Sequence, residues 1–435
     1  MRCHARAIVG IFCLATVAVL APGAGAAESG AHRPDTARET LPRGDGWGAY
    51  GPGVTGGSAA AKEQVFTVRT REELAAALRE GGDAPKIIKV KGVIDANTDT
   101  QGKPLTCDDY ATDGYTREGY LKAYDPATWG KEMPSGPMED ARLASAARQA
   151  ERVKLSVGSN TTIVGAGSDP RLLGATLSVR DAHNVIVRNL TFEDAYDCFP
   201  QWDGTNEGEW NSEYDQLVID GATNVWVDHN TFTDGRRPDS SLPVYFGALY
   251  QQHDGELDIV RGANLVTASW NSFEDHDKTL LFGNSDKAAA TDAGKLKVTL
   301  HHNRFSGIVE RAPRVRFGQV DAYNNHFDIK PEQKFGYVFG IGYESRLYAE
   351  KNAVTLPDGI GAGQILKRWS DAPVTAERNY VNGRPTDLIA AHNAQYPEAP
   401  LRADAGWTPS LRTRVDHPRV LPHLLAARAG AGKLR

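Results

Sequence analysis

The chain is poor in cysteine, with four in 435 residues, and it contains a single long apolar run. Cys3 and Cys13 flank or occupy that run, which leaves Cys107 and Cys198 downstream. Two thiols are too few for a disulfide scaffold and have no zinc-site spacing. They form one bridge or remain two separate thiols, because sequence does not report the geometry a bridge requires. The apolar run, Ala7 to Ala21, follows Arg2 and Arg6 and precedes the small residues Gly23 to Ala27. This layout predicts a secretory signal over residues 1–27, cleaved near Ala26 or Ala27. No second run of spanning length follows, so no membrane partner is expected. Net positive charge is also lacking. The formal charge of −6 becomes −8 without the two leader arginines, which argues against a nucleic-acid partner. EF-hand spacing is lacking, and Gly165-Ala166-Gly167 leads into no dinucleotide-binding helix pattern.

What the chain does contain is a recurring phrase of alternating apolar residues, an asparagine, and then an aromatic or aliphatic residue. It appears as NVWVDHNTF (224–232), NLVTASWNSF (264–273), KVTLHHNRF (297–305), QVDAYNNHF (319–327), RLYAEKNAV (346–354) and VTAERNYV (374–381). The aligned residues Asn230, Asn271, Asn303, Asn325, Asn352 and Asn379 are spaced by 41, 32, 22, 27 and 27. A repeat of this size, built from short strands, predicts an all-β fold: a right-handed parallel β-helix, or solenoid, with an internal asparagine ladder. A propeller or antiparallel sandwich would need hairpin turns, and Asn-Gly and Asp-Gly pairs are scarce at these joints. Residues 28–45 are polar and rich in helix breakers and read as a flexible N-terminal arm, leaving 46–435 as one domain. Thr70-x-x-Glu73 has the form of a capping box and predicts a short helix able to close one end of the solenoid, followed by a strand from Lys86 to Val93. A second helix is expected over 138–152, inside a long insertion, Leu105 to Arg152, that otherwise reads as loop.

The longer spacings place extra loops over one face, between Asn230 and Asn303. That interval holds Asp254 and Asp258, with Asp215 before it. Four extended residues span roughly 13 Å, so Asp254 and Asp258 can share an ion only if Gly255 turns the chain between them. Three carboxylates suit a hard cation such as calcium, whereas solvated surface aspartates are the plainer alternative. Arg311, Arg314 and Arg316 cluster around Pro313, with Val315 and Phe317 on the opposite phase of the alternation. Such a cluster is a solvated basic rim or an anion site. Lys278 lies about one coil earlier, so Asp258, Lys278 and Arg316 can line one groove. His229 and His276 sit in Asp-His pairs, but no serine or cysteine nucleophile accompanies them. Trp226 reads as core, and Trp202 and Trp210 as loop residues able to stack on sugars.

The phrases NVWVDHNTF, DHDKTLLFGNSD and LHHNRFSGIVERAPRVRFGQVDAYNN resemble the signature segments of the family 1 polysaccharide lyases, most closely the bacterial extracellular pectate lyases. The likeness runs from DGWGAY (45–50) through AYDCFPQWD (195–203) to GWTPSL (406–411). It implies calcium ligands at Asp215, Asp254 and Asp258, a proton-abstracting arginine at Arg311, and substrate-binding cations at Lys278 and Arg316. It also implies a secreted monomer acting on demethylated polygalacturonate by β-elimination. In that chemistry, positive charge on the C6 carboxylate acidifies the C5 proton by stabilising an enolate-like transition state. Cations around Arg311 would lower its pKa and give an alkaline optimum, whereas a competing account keeps Arg311 as a clamp and assigns proton removal to hydroxide. No protein acid for the leaving O4 stands out, which leaves water. A polygalacturonase using paired acids without a metal, and a non-catalytic wall-binding module, are the alternative classes.

Overall fold

The computed structural model describes residues 35–205 and 208–434, so the expected signal peptide and residues 28–34 of the expected arm lie outside the described residues. The repeated phrases become three parallel stacks of strands, each coil giving one strand to each stack, in a right-handed parallel β-helix. The first sheet has eight strands: Lys154–Ser156, Thr176–Arg180, Leu217–Asp220, Leu257–Val260, Leu280–Phe282, Arg314–Val315, Phe339–Ile341 and Leu366–Arg368. The second stack includes Thr223–Asp228, Asn264–Ser269 and Val298–His301, and the third includes Thr231–Thr233, Ser272–Glu274 and Arg304–Ser306.

Alternation decides what fills the interior. Leu177, Leu217, Leu257 and Leu280 pair in register and are fully buried, as are Val225, Val266, Val298 and Val320 on the second stack. On the third stack Phe192, Phe232, Phe273, Phe305 and Phe327 lie ring on ring, with centroids 4.7–5.0 Å apart. Like residues stacked at strand spacing bury one another, so the fully buried phenylalanines each contribute about 2–3 kcal/mol of transfer free energy.

The asparagine ladder occupies the corner between the second and third stacks. Asn230 Nδ2 donates to Asn271 Oδ1 at 3.1 Å, and the pattern repeats through Asn303, Asn325, Asn352 and Asn379 at 3.0–3.1 Å. The residue before each of them, from His229 to Arg378, has a φ of +51 to +55°, the left-handed step that lets the chain turn within two residues. That step exposes backbone groups to the interior, and the amides satisfy them: Asn271 Nδ2 also reaches the Val227 carbonyl at 3.0 Å, and its Oδ1 accepts the Asn230 amide at 2.9 Å.

The helix Arg71–Arg79 closes one end, with Leu74 and Leu78 buried against the coils. Thr70 accepts the Glu73 amide as expected, but Glu73 reaches back to the Arg69 amide rather than to that of Thr70. The other end is covered by the helix Leu388–Gln395. Within the long insertion, the helix Pro137–Val153 agrees with the sequence reading, but the segment expected as loop also forms the short helices Cys107–Tyr110, Arg117–Ala123 and Pro126–Trp129. Their tyrosines build a second core with Phe199, Trp202, Trp210 and Tyr250, and a Cys107–Cys198 disulfide fastens it. Both indoles of Trp202 and Trp210 are buried there, which removes sugar stacking as an alternative for them. The flexible-arm reading also needs correction over residues 35–45. Leu41 is buried beside Ile186 and Trp226, Glu39 pairs with Arg188 at 2.7 Å, and Asp45 accepts from Thr413 at 2.6 Å.

Candidate active site

The first sheet carries the site. Asp215 precedes the strand Leu217–Asp220, while Asp254 and Asp258 bracket the entry to Leu257–Val260 on the next coil. All three aspartates open on one cavity of about 370 Å³. Gly255 makes their approach possible. Its amide donates to Asp215 Oδ1 at 2.8 Å, and a Cβ at this position would collide with the carboxylates of both Asp215 and Asp258. The chain therefore passes between the two acids where only glycine fits. Asp258 Oδ1 accepts the Leu281 amide at 3.1 Å from the following coil.

These carboxylates repel one another. Burial, with the Asp254 charge beside it, pushes the Asp215 carboxyl up to about 7. Burial, with Asp215 and Asp254, pushes Asp258 well above the usual carboxylate range. A half-enclosed set of hard oxygen donors with excess negative charge fits a divalent cation such as calcium.

Lys278 Nζ lies 3.9 Å from Asp254 Oδ1, and Lys278 bridges in register to Glu310, so Arg311 follows one residue on. Arg311 has a φ of +59°, outside the ordinary range of a side-chain-bearing residue. Adjacent coils hold it there: its carbonyl accepts the Leu280 amide at 2.6 Å, and the Ala312 amide reaches the Val338 carbonyl at 2.8 Å. Arg311 Nε donates to Glu310 Oε1 at 3.0 Å. Burial lowers the Arg311 pKa, but Glu310, Tyr337, Asp258 and Asp254 outweigh it and raise the guanidinium above its ordinary value. The acids of the chain thus hold the proton on Arg311, and the lowering expected from sequence would have to come from the charge of a bound cation.

Arg316 stands on the same coil as Arg311. It ties down a neighbouring loop, with Nε 2.6 Å from Asp286 and a terminal nitrogen 2.9 Å from the Gly283 carbonyl. The residue in register with Asp258, through Leu281, is Arg314. As alternation predicted, Val315 and Phe317 are buried while Arg314 and Arg316 keep partial exposure.

The pectate lyase family model matches residues 136–398. A pectate lyase of Bacillus subtilis is 45% identical over 94% of this chain and 97% of its own length. Pectate lyase D of Dickeya chrysanthemi is 35% identical over 92% and 91%. The chain belongs to the pectate lyase family. Among solved structures, a pectate lyase bound to a hexasaccharide superposes with a TM-score of 0.88 at 45% identity, covering 92% of this lyase and all of that chain. A pectate lyase of Acidovorax avenae subsp. citrulli superposes at 0.84 with 33% identity, over 92% and 98% of the two chains.

Sequence reasoning missed what lies beneath the aspartates of this pectate lyase. His276 Nδ1 lies 2.9 Å from both oxygens of Asp234, and its Nε2 lies 2.7 Å from the Asp254 carbonyl. His253 bridges Asp194 at 3.1 Å and Asp239 at 3.5 Å. Asp234, Asp239 and His253 are close enough to share a metal ion. Burial disfavours a charge on His253, yet Asp234, Asp194 and Asp239 prevail and lift it to about 9. Both nitrogens of His253 face carboxylates, and Asp234 passes the network on through His276 to the Asp254 carbonyl, so the cluster supports Asp254 from below. His276 stood out in sequence only as half of an Asp-His pair, and contacts across coils are what reveal the partners of both histidines.

Proposed function

We propose that the protein is a secreted, monomeric, calcium-dependent enzyme that cleaves demethylated (1→4)-α-D-galacturonan by β-elimination, leaving 4,5-unsaturated oligogalacturonates. The observation that carries this reading is the convergence of Asp215, Asp254 and Asp258 on one cavity, with Lys278 touching its edge. The hexasaccharide held by a relative of 45% identity supports an oligosaccharide ligand. Among the described residues no helix is long and apolar enough to cross a membrane.

Asp215, Asp254 and Asp258 are the residues that would hold calcium. Calcium, when bound, supplies positive charge for a substrate carboxylate and so acidifies the neighbouring C–H bond. Lys278 adds charge to the same carboxylate. Arg311 acts at C5: its neutral guanidine takes the C5 proton, the C5–H electrons form the C4–C5 double bond, the C4–O4 bond breaks, and O4 leaves with the departing chain and takes a proton from water. Arg316, fixed through Asp286, binds a further carboxylate of the polymer. To serve as the base, Arg311 must first lose a proton that Glu310 helps it keep. That pairing favours a second account in which protonated Arg311 clamps the substrate and hydroxide removes the proton.

The test is turnover of demethylated polygalacturonate at alkaline pH, with and without a chelator, followed by ultraviolet absorbance of the unsaturated product. Loss of the signal in chelator and its return with calcium are expected. New reducing ends without absorbance would indicate a hydrolase. A plateau in the pH profile would identify a protein base that titrates within the range, whereas a rate that keeps rising fits hydroxide or an Arg311 still held protonated by its acids.

A further inference from the structure

The three arginines of the Arg311 to Arg316 run have unequal partners. Arg311 is paired with Glu310, and Arg316 with Asp286. Arg314 has no carboxylate partner among the described residues, and its Nε is buried without a hydrogen bond. Its guanidinium instead lies 4.1 Å over the ring of Trp369. Trp369 is 45% exposed, among the most open of the large hydrophobic side chains. Lys367, also without a carboxylate partner among the described residues, places its Nζ 5.5 Å from the same ring. Isolated cations on a wet surface need no explanation. Two of them gathered on one open indole, one half-buried, leave a charge that the protein does not neutralise.

The arrangement is built by the fold. Outward positions of the first sheet run in register from Asp258 through Leu281, Arg314 and Gly340 to Lys367. At the usual strand spacing, Arg314 lies roughly 10 Å and Lys367 roughly 19 Å from Asp258 along one face. Gly340 lies between the two cations. A Cβ there would come within 3.2 Å of Arg314 Cγ and 2.9 Å of the Tyr337 ring, so a side chain at 340 would displace Arg314 from its path across the strand to Trp369. Burial, with Arg316 and Arg311 close by, lowers the Arg314 pKa, the direction expected where positive charge is in excess.

We propose that Arg314, Lys367 and Trp369 form a subsite that takes one uronate unit of the polysaccharide, its carboxylate against the two cations and the apolar face of its ring against the indole. The inference rests on the reading of the substrate as polygalacturonate. Charge complementarity and continuity with the aspartate face select this occupant. A guanidinium stacked on an aromatic ring keeps its donors in one plane, the geometry a carboxylate accepts in pairs. Trp369 has the apolar face that a sugar ring can cover. Because the subsite lies beyond the aspartates, only a chain long enough to span the distance reaches both.

The experiment compares KM and kcat on polygalacturonate and on trigalacturonate, with calcium present, for the wild type, Arg314→Gln and Trp369→Ala. Each variant is expected to raise KM for the polymer about tenfold, with kcat within about threefold and a much smaller change on the trisaccharide. Trp369→Phe is expected to restore part of the loss, and unchanged thermal midpoints show that the variants fold. An unmoved polymer KM in both variants, or equal losses on polymer and trisaccharide, overturns the subsite. If the wild type forms no unsaturated product, the lyase reading falls instead. The subsite is then read by calorimetric titration with hexagalacturonate, where equal affinities of wild type and Arg314→Gln overturn it.

Discussion

At the scale of single residues, the aspartates hold the fold under electrostatic tension. An unfolded aspartate loses its proton near 3.8, whereas Asp215 in the fold does so at about 7. The unfolded chain therefore releases the proton first, so folding loses stability as pH rises from 3.8 to 7 and carries the full penalty above that. Asp215→Asn is expected to raise the thermal midpoint in chelator at pH 8 and to abolish the further rise that calcium gives the wild type. Scanning calorimetry with and without calcium checks both, and a wild-type calcium response retained in the variant would move the ion elsewhere. Arg311→Lys is expected to cut turnover about 100-fold or more while leaving the thermal midpoint in place, because the part-exposed side chain has one carboxylate partner, Glu310, which lysine can keep. Near-normal kinetics would remove Arg311 from the chemistry. The acids and the arginine run were legible in sequence because their types and neighbours are distinctive. Glu310 is the sequence neighbour of Arg311, but the partners of Arg316 and Arg314 were not legible, since Asp286 and Trp369 are brought to them from other coils.

At the scale of the elements, the ladder dominates. Asn303 donates to Asn325 and to the Ala268 carbonyl, accepts twice from Asn271, and has its own amide bonded to Asn325. Asn379, at the last rung, accepts twice from Asn352 and donates to the Ala349 carbonyl. Replacing Asn303 by alanine strands buried groups on both sides and is expected to cost about 2–4 kcal/mol, clearly more than Asn379→Ala. Urea denaturation of the two variants tests the order, and equal losses would show that the rungs act independently. The ladder and the strand phase were readable because amide stacking and inward alternation demand particular residue types. The left-handed corner was hidden, since its occupants, His229, Trp270, His302, Asn324, Lys351 and Arg378, share no type. The three short helices of the insertion were hidden too, because helices of four to seven residues are stabilised mainly by the aromatic core beneath them.

At the scale of the molecule, two features tie distant parts together. The Cys107–Cys198 bridge closes a separation of 91 residues, so reduction is expected to lower unfolding free energy by about 4 kcal/mol. Urea midpoints with and without reductant measure this. The His253 network responds to pH in the same direction as Asp215, but in a higher window. Its folded pKa of about 9 exceeds the ordinary 6.5, so the stability it contributes is complete below 6.5 and is lost as pH rises through 9. His253→Gln is expected to flatten the fall in thermal midpoint between pH 7 and 9.5, and an unchanged slope would place the alkaline loss elsewhere. Turnover at high pH would thus draw on a scaffold that is loosening as the chemistry speeds up. The in-register face from Asp258 to Lys367 has a further consequence. Its marks are set by the backbone pitch, so they cannot drift independently, and the face works as a graduated scale: a regular polyanion can meet several marks at once, while a branch or an esterified stretch falls out of step and loses more than one contact together.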